Sequence, residues 1–463
     1  MTKIANAQFW VHDQDESLDY YTRTLDWEVR SDVSMEAWNF RWLVVGPPDQ
    51  GDIGLVLMPV PGPPMLDAEA SVVQVSYLLG TPERYLVFLE RGADGGLHDA
   101  LEDPAVARAV LAFARRGGQV ALGPGDTVKA ELIGDGARLL DLLQPEPAVR
   151  ALGVEQSNTS LVLGERVLLK IFRKLEAGLN PELEMGRFLA LHDFRATPKL
   201  LAALTLEGAS ASVVALAYDF VRNAGDGWEW VQAALKSSPR PGRALLESLE
   251  QLGTTVGAMH RALASDSNDP EFAPEPIKME DLHRWSSSII GELGVSLAKA
   301  TERFPALLDR QEALTERAKV LASVLPSGQK IRQHGDLHLG QALRVGQDWM
   351  IIDWEGEPAR PLQARREKHT PLRDVAGMLR SFAYAAAVAG VEPGERRASV
   401  EAMRTAFLRG WQRAVEGTGL APASEADRNA ILDVLELEKT VYELRYELLM
   451  RPDWAHIPAE ALG

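Results

Sequence analysis

The chain has 463 residues, 46% hydrophobic and 25% charged, a size and balance that suit a globular protein of about three domains. Its 66 acidic residues outnumber 49 basic ones for a formal net charge of −17, which argues against a general nucleic-acid or anionic-membrane surface. With no cysteine, disulfides and thiolate metal sites are excluded. Met1 to Trp10 lacks the apolar centre of a secretion leader, and no run approaches the roughly 18 apolar residues of a membrane helix, so the expected address is the cytoplasm.

In chain order, residues 4–11 read as a strand, 13–24 as a helix opened by Asp13, and 38–45 and 53–59 as two further strands. Consecutive prolines in Pro59-Val60-Pro61-Gly62-Pro63-Pro64 remove backbone donors and mark a boundary near residues 60–70. Residues 71–80 and 84–90 then alternate as strands, 103–116 form a helix ended by Gly117-Gly118, and 126–134, 137–143, 159–163 and 166–172 continue a strand-rich region. Within the last of these, Val167-Leu168-Leu169-Lys170-Ile171-Phe172 holds one charge in a buried pattern, and a lone ammonium there calls for an anion. Nucleotide phosphates would serve, as would a carboxylate of the helix at 182–192, with Glu184 the first choice and Glu182 the second; a lysine snorkelling from an edge strand accounts for the same pattern.

No glycine-rich phosphate loop precedes Lys170. The polar turn Gln156-Ser157-Asn158 offers donors instead, with Ser157 the named candidate. Residues 212–221 form a buried strand that ends at Phe220-Val221. Beyond it the periodicity turns helical: Trp228 and Trp230 open a helix and read as packing residues, and 240–260, 279–299, 305–324, 372–389, 398–415 and 423–449 follow. His260 reads as a core or capping histidine.

The densest chemical signal is Gln333-His334-Gly335-Asp336-Leu337-His338-Leu339-Gly340-Gln341, followed by Ile351-Ile352-Asp353-Trp354-Glu355-Gly356-Glu357. Asp336 and Asp353 are 353 − 336 = 17 residues apart, which fits a loop, a hairpin and a return. Phosphoryl transfer needs one carboxylate to orient the attacking hydroxyl and further oxygen ligands to hold Mg²⁺. Asp336 suits the first role, Gln341 and Asp353 the second. On the last helix, Tyr442 and Tyr446 lie four residues apart with Glu443 beside them, a face suited to a sugar; an amphipathic packing face with a polar rim explains it equally.

The HGDLHLGQ and DWEGEP segments resemble the motifs of the aminoglycoside phosphotransferase-like kinases, and the continuation through Pro371-Leu372-Arg373-Asp374 to Phe382, with the terminal Arg451-Pro452-Asp453-Trp454, resembles maltokinase over about residues 71–463. That resemblance implies an α+β, bilobal protein-kinase-like fold, with a β-rich amino-terminal lobe at 151–222, a helical carboxy-terminal lobe at 223–463 and an α/β cap region at 66–150. It also implies ATP and Mg²⁺ as cofactors and phosphorylation of the anomeric hydroxyl of maltose, feeding glycogen synthesis. Asp336 would be catalytic, Gln341 and Asp353 would hold metal, and Lys170, Glu184, Ser157, Phe220 and Val221 would hold nucleotide. His338, Glu355, Tyr442, Glu443 and Tyr446 would face the sugar. Partners would be maltose and ATP, with trehalose synthase or a second copy of the chain, and neither nucleic acid nor membrane. The alternatives are a glucosamine or aminoglycoside kinase of the same fold, and a nucleotide-binding pseudokinase. Ahead of this, the run from Phe9 to Val29 resembles half of a vicinal oxygen chelate domain, as in glyoxalases, over 1–65; Asn6 stands near that family's metal histidine, so a structural role is expected there.

Overall fold

The computed structural model describes residues 4–11, 14–35, 40–48, 54–59, 68–77, 82–91, 97–123, 126–139, 147–153, 158–192, 194–208 and 211–463. The chain divides into two compact units, residues 1–187 with 199–220, and residues 188–198 with 221–463.

The first unit is built on two sheets. It opens with β1 (Ile4–Val11), α1 (Gln14–Arg23), β2 (Glu28–Met35), β3 (Phe40–Gly46) and β4 (Gly54–Pro59). Their order β1-β4-β3-β2, with β1 parallel to β4, is a single βαβββ module, and β2 is a strand the sequence reading missed. Past the proline-rich segment, most of which falls outside the described residues, β5 (Ala68–Tyr77) pairs antiparallel with β1, and β6 (Glu83–Arg91) with β5. β7 (Leu97–Asp99) then pairs with β6, and α2 (Pro104–Arg116) starts on Asp103, whose carboxylate accepts the Ala105 N–H at 2.7 Å.

The second sheet takes β8 (Gly118–Gly123), β9 (Asp126–Leu132), β10 (Val149–Ala151), β11 (Asn158–Leu163), β12 (Val167–Phe172), β14 (Leu200–Glu207) and β15 (Ser212–Asp219) in the order β10-β11-β12-β15-β14-β9-β8. The Lys170 strand, β12, is central there, between β11 and β15, as its nearly continuous apolar run requires. β13 (Lys174–Leu175) leaves that strand and pairs with β6, so it is an edge of the first sheet. Val72 and Leu86 of the first sheet, Leu111 of α2, and Leu169 and Ile171 of β12 share one core. The strand expected at 137–143 does not form where it is described: Gly136–Arg138 is a 3₁₀ turn, pressed so closely on Leu201 that a Cβ on Gly136 would lie 2.2 Å from its carbonyl oxygen.

The second unit is helical. It contains α4 (Gly227–Ser237), α5 (Arg243–Leu263), α6 (Met279–Ala300) and α7 (Gln311–Lys319); α3 (Pro181–Leu191) precedes it in the chain. Two short ladders follow, β16 (Glu275–Pro276) with β17 (Gln329–Lys330), and β18 (Ala342–Val345) with β19 (Asp348–Ile351). The set is completed by α8 (Leu362–Arg365), α9 (Leu372–Val388), α10 (Pro393–Val415), α11 (Glu425–Met450) and α12 (His456–Leu462). Asp226 and Ser424 cap α4 and α11 through side-chain acceptors. No described helix is long and apolar enough to cross a membrane.

Candidate active site

In the first unit, Lys170 Nζ meets Glu182 Oε2 at 2.8 Å, and both groups are buried. Glu182, the second choice of the sequence reading, thus supplies an ion-pair carboxylate to Lys170. The start of α3 is fixed by Asn180, whose Oδ1 accepts the backbone N–H groups of Glu182 and Leu183 at 2.9 and 3.2 Å. Tyr218 Oη donates to the other Glu182 oxygen at 2.8 Å. Glu184 is also buried. Ser157 lies outside the described residues. Phe220 had been expected to offer its backbone to a nucleotide base, but its N–H already donates to the Arg166 carbonyl at 2.8 Å. The Val221 carbonyl accepts Asn223 Nδ2 at 3.0 Å.

In the second unit, the HGD loop rests on one face of α9. Asp374, Gly377 and Ser381 stand at i, i+3 and i+7 on that helix, and each meets the loop. Asp374 Oδ2 and Oδ1 accept the N–H groups of His334 and Gly335, both at 2.9 Å. A Cβ on Gly377 would come within 2.6 Å of the Leu337 carbonyl. Ser381 Oγ accepts the Leu339 N–H at 3.2 Å. Asp374 also receives His260 Nε2 at 3.0 Å, and Trp411 Nε1 donates to His260 Nδ1 at 3.0 Å. Since an indole N–H can only donate, His260 Nδ1 is the acceptor from Trp411 and its Nε2–H is the donor to Asp374. Burial would raise the Asp374 carboxyl, but the hydrogen bond from His260, with the Gly335 N–H, holds it below the usual carboxylate range.

The 17-position separation (353 − 336) of the two aspartates is spanned as expected, by a 3₁₀ turn at Leu339–Gln341, the β18–β19 hairpin and a return. Gln341 Nε2 donates to Asp353 Oδ2 at 2.9 Å, and the Ile352 N–H returns to the Gln341 carbonyl at 3.0 Å. Asp353 has φ +65°, a left-handed conformation that turns it sharply out of the strand. With its amide nitrogen engaged by Asp353, Gln341 retains its carbonyl oxygen as a ligand atom; two oxygen-bearing side chains in contact are a donor set suited to a hard cation such as Mg²⁺. His334 Nε2 meets the Ile352 carbonyl at 2.8 Å, and His338 Nδ1 accepts the Gly340 N–H at 3.0 Å, so both histidines brace the loop.

Asp336 Oδ1 is bonded by Lys439 Nζ of α11 at 3.0 Å. Burial raises the Asp336 carboxyl, but Lys439 and the two loop histidines outweigh it and bring it to about 2; Asp336 in turn, with Glu357 and Glu443, raises the Lys439 pKa against that residue's own burial and keeps it charged. Lys439 also lies 3.6 Å from Glu357, which accepts the Tyr442 hydroxyl at 2.6 Å. A cavity of about 530 Å³ opens from Asp336. His338, Glu357, Lys439, Tyr442, Glu443 and Tyr446 line it, together with Trp228 and Trp454. The Tyr442 and Tyr446 rings stack at 6.2 Å, and Trp228 stacks on Trp454 at 6.2 Å. Trp228, expected to pack, is thus a cavity residue, whereas Trp230 packs edge-on against Trp349. Glu443 is held by Arg380, with Nε and Nη2 on Oε2 at 2.9 and 2.7 Å. Among the described residues Glu355 does not line this cavity and Glu357 does: Gly356 at φ +73° reverses the chain between them. Lys439, Arg380, Glu357 and Asp374 were not singled out from sequence.

Residues 148–356 match the model of the phosphotransferase enzyme family. Residues 3–134 match that of the glyoxalase/bleomycin resistance protein/dioxygenase superfamily, well past the prolines at which the sequence reading ended that module. The described strands beyond them divide between the two sheets, β5 and β6 in the first and β8 and β9 in the second. A glucosamine kinase of Streptacidiphilus jiangxiensis is 27% identical over 86% of this chain and 90% of its own. One from Mycolicibacterium smegmatis (strain ATCC 700084 / mc(2)155) is 25% identical over 68% and 78%. A solved structure of glucosamine kinase in complex with glucosamine, ADP and inorganic phosphate superposes with a TM-score of 0.62 at 23% identity, covering 82% of this chain and 91% of that one; a second crystal form gives 0.63 at 23%, covering 87% and 94%. The α+β kinase-like fold is therefore shared, and the chain carries a phosphotransferase-family domain at residues 148–356 with a glyoxalase-superfamily domain ahead of it at residues 3–134.

Proposed function

We propose that this protein is an ATP-dependent sugar kinase whose preferred acceptor is glucosamine. The observation that carries the reading is the single cavity that joins Asp336 to the stacked Tyr442–Tyr446 face and Glu443 on α11. Aromatic faces suit the C–H patches of a sugar, and a carboxylate at the cavity's end suits the acceptor hydroxyl. Asp336 would orient that hydroxyl and take its proton as the new P–O bond forms and the bond to the leaving ADP breaks. Gln341 and Asp353 would hold Mg²⁺, which when bound neutralises phosphate charge. Lys170, fixed by Glu182, would pair with the nucleotide phosphates, with Glu184, Ser157 and Val221 as further nucleotide candidates. Such a reading carries a cytoplasmic address.

The acceptor is favoured by charge. Five carboxylates line the cavity (Asp226, Asp336, Glu357, Glu443 and Glu447) against the cations Lys439 and Arg451, a balance that attracts an ammonium-bearing sugar. The two glucosamine kinases named above point the same way. Maltose is the second reading, favoured by the cavity volume of about 530 Å³, which exceeds what one hexose fills; trehalose synthase as a partner belongs to that reading alone. Purified protein with Mg-ATP, offered glucosamine, maltose, glucose and kanamycin and followed by ADP release, tests both. Glucosamine-dependent release above the others is expected. Preference for maltose would select the second reading, and nucleotide binding without acceptor-dependent release would establish the pseudokinase.

A further inference from the structure

We propose that Lys439 is the positioning residue of this centre: a cation delivered by the acceptor-binding helix that holds the Asp336 carboxylate ionised and aimed. The inference rests on the sugar-kinase reading and adds the control of its base. Its basis is geometric. Lys439 Nζ lies 3.0 Å from Asp336 Oδ1 and 3.6 Å from Glu357 Oε2, and it stands 5.0 Å from the centre of the Tyr442 ring. Tyr442, three residues further along α11, bonds Glu357 in turn, so one turn of this helix touches both the catalytic carboxylate and the sugar face.

Other charges facing Asp336 do not replace this one. From its own loop come His334 and His338; His334 donates through Nε2 to a carbonyl, and His338, whose Nδ1 accepts a backbone N–H, is held below the ordinary histidine value first by burial. Across a small adjoining cavity stand Arg360 and Arg373, both on Glu438 at 3.4 and 2.6 Å, and Asp374, engaged by His260. Lys439 is thus the cation in direct contact with Asp336 among the described residues. Remove it, and burial acts on Asp336 with its principal counterweight gone: the carboxyl rises above the ordinary aspartate range and titrates into the assay window.

The test is Lys439→Met and Lys439→Arg in the full chain, with the ratio of variant to wild-type kcat/KM for the sugar read from about pH 8 to pH 5, so that titration of the nucleotide cancels. For Lys439→Met the ratio falls about tenfold per pH unit below the new pKa, while nucleotide affinity stays unchanged. Lys439→Arg keeps the ratio flat. A merely structural lysine would lower activity equally at every pH, and a flat ratio for Lys439→Met overturns the proposal. A second readout needs no turnover: in the infrared difference between Lys439→Met and wild type, where the common carboxyls cancel, a protonated-carboxyl band grows between pH 7 and pH 5, and it is lost from the difference between the Lys439→Met/Asp336→Asn double variant and wild type. Absence of that band from Lys439→Met refutes the inference even if the protein proves to phosphorylate no sugar, whereas its presence in an inactive protein refutes only the kinase reading.

Discussion

Glu443→Ala separates binding from architecture only when Arg380 is considered with it. In the structure the Arg380 and Glu443 side chains are 8% and 10% exposed, too buried for water to screen the pair. Burial lowers the Arg380 pKa, and the field and hydrogen bonds of Glu443 outweigh this and raise it; with Glu443 removed the guanidinium still stays charged, because its ordinary pKa lies above about 12. Glu436, which also faces Arg380, is already held by Arg404 at 2.5 and 2.9 Å. Breaking a buried pair from one side costs about 3–5 kcal/mol, and for a domain of roughly 250 residues, at about 2–4 °C per kcal/mol, the melting temperature should fall by roughly 6–20 °C. Replacing both partners, Arg380→Met with Glu443→Met, removes the stranded cation and should recover most of that loss. The acceptor KM should stay raised in the double variant, with nucleotide affinity near wild type, if Glu443 touches the sugar. Differential scanning calorimetry and steady-state kinetics on the three proteins decide the matter. A Glu443→Ala melting temperature within about 2 °C of wild type would refute the burial argument; a double variant with wild-type acceptor KM would remove Glu443 from the binding face.

Asp336→Asn should lower kcat by at least about a hundredfold with little change in nucleotide affinity, measured by steady-state kinetics and nucleotide titration; near-wild-type kcat would refute its role as base. Asp353→Asn should weaken Mg-nucleotide binding as well as turnover while leaving the fold intact, because asparagine tolerates φ +65°; calorimetric titration of Mg-nucleotide checks it, and unchanged affinity would free Asp353 from metal. Asp374→Asn must turn an amide N–H₂ toward one of three donors, at a cost of about 1–3 kcal/mol for each hydrogen bond broken, so both melting temperature and kcat should fall; a variant that melts like wild type would show that Asp374 does not brace the loop.

What the sequence disclosed was local. Asp336, Gln341 and Asp353 sit within one loop and hairpin, and Lys170 betrayed itself as a charge in an apolar strand; the packing around them follows from short-range chain geometry. Tyr442 and Tyr446 met through helical spacing alone. Lys439, Arg380 and Asp374 escaped because their partners are 103, 63 and 40 residues away, and nothing in a helix's own pattern says which distant carboxylate or backbone group it will face. That Glu182 reaches Lys170 follows from where α3 begins, a point fixed by the capping Asn180 and not legible in the spacing of the helix's carboxylates. Glu355 and Glu357 were exchanged by a single left-handed glycine.

The pairing of β5 with β1 bears on what the first module does for the strands that follow it. β5 runs from Ala68 to Tyr77 and is sealed on one side by β1 and on the other by β6, whose outer edge carries β13 from the Lys170 strand. Cutting the chain at the prolines would strip β1 away and leave β5 as a long open edge carrying Val72, Val73 and Val75, a template for pairing with other chains. β1 thus guards an edge that continues, strand by strand, to the backbone just after Lys170, and a shortened version of this chain would need a substitute strand, or lysines set along β5, before any activity was worth measuring.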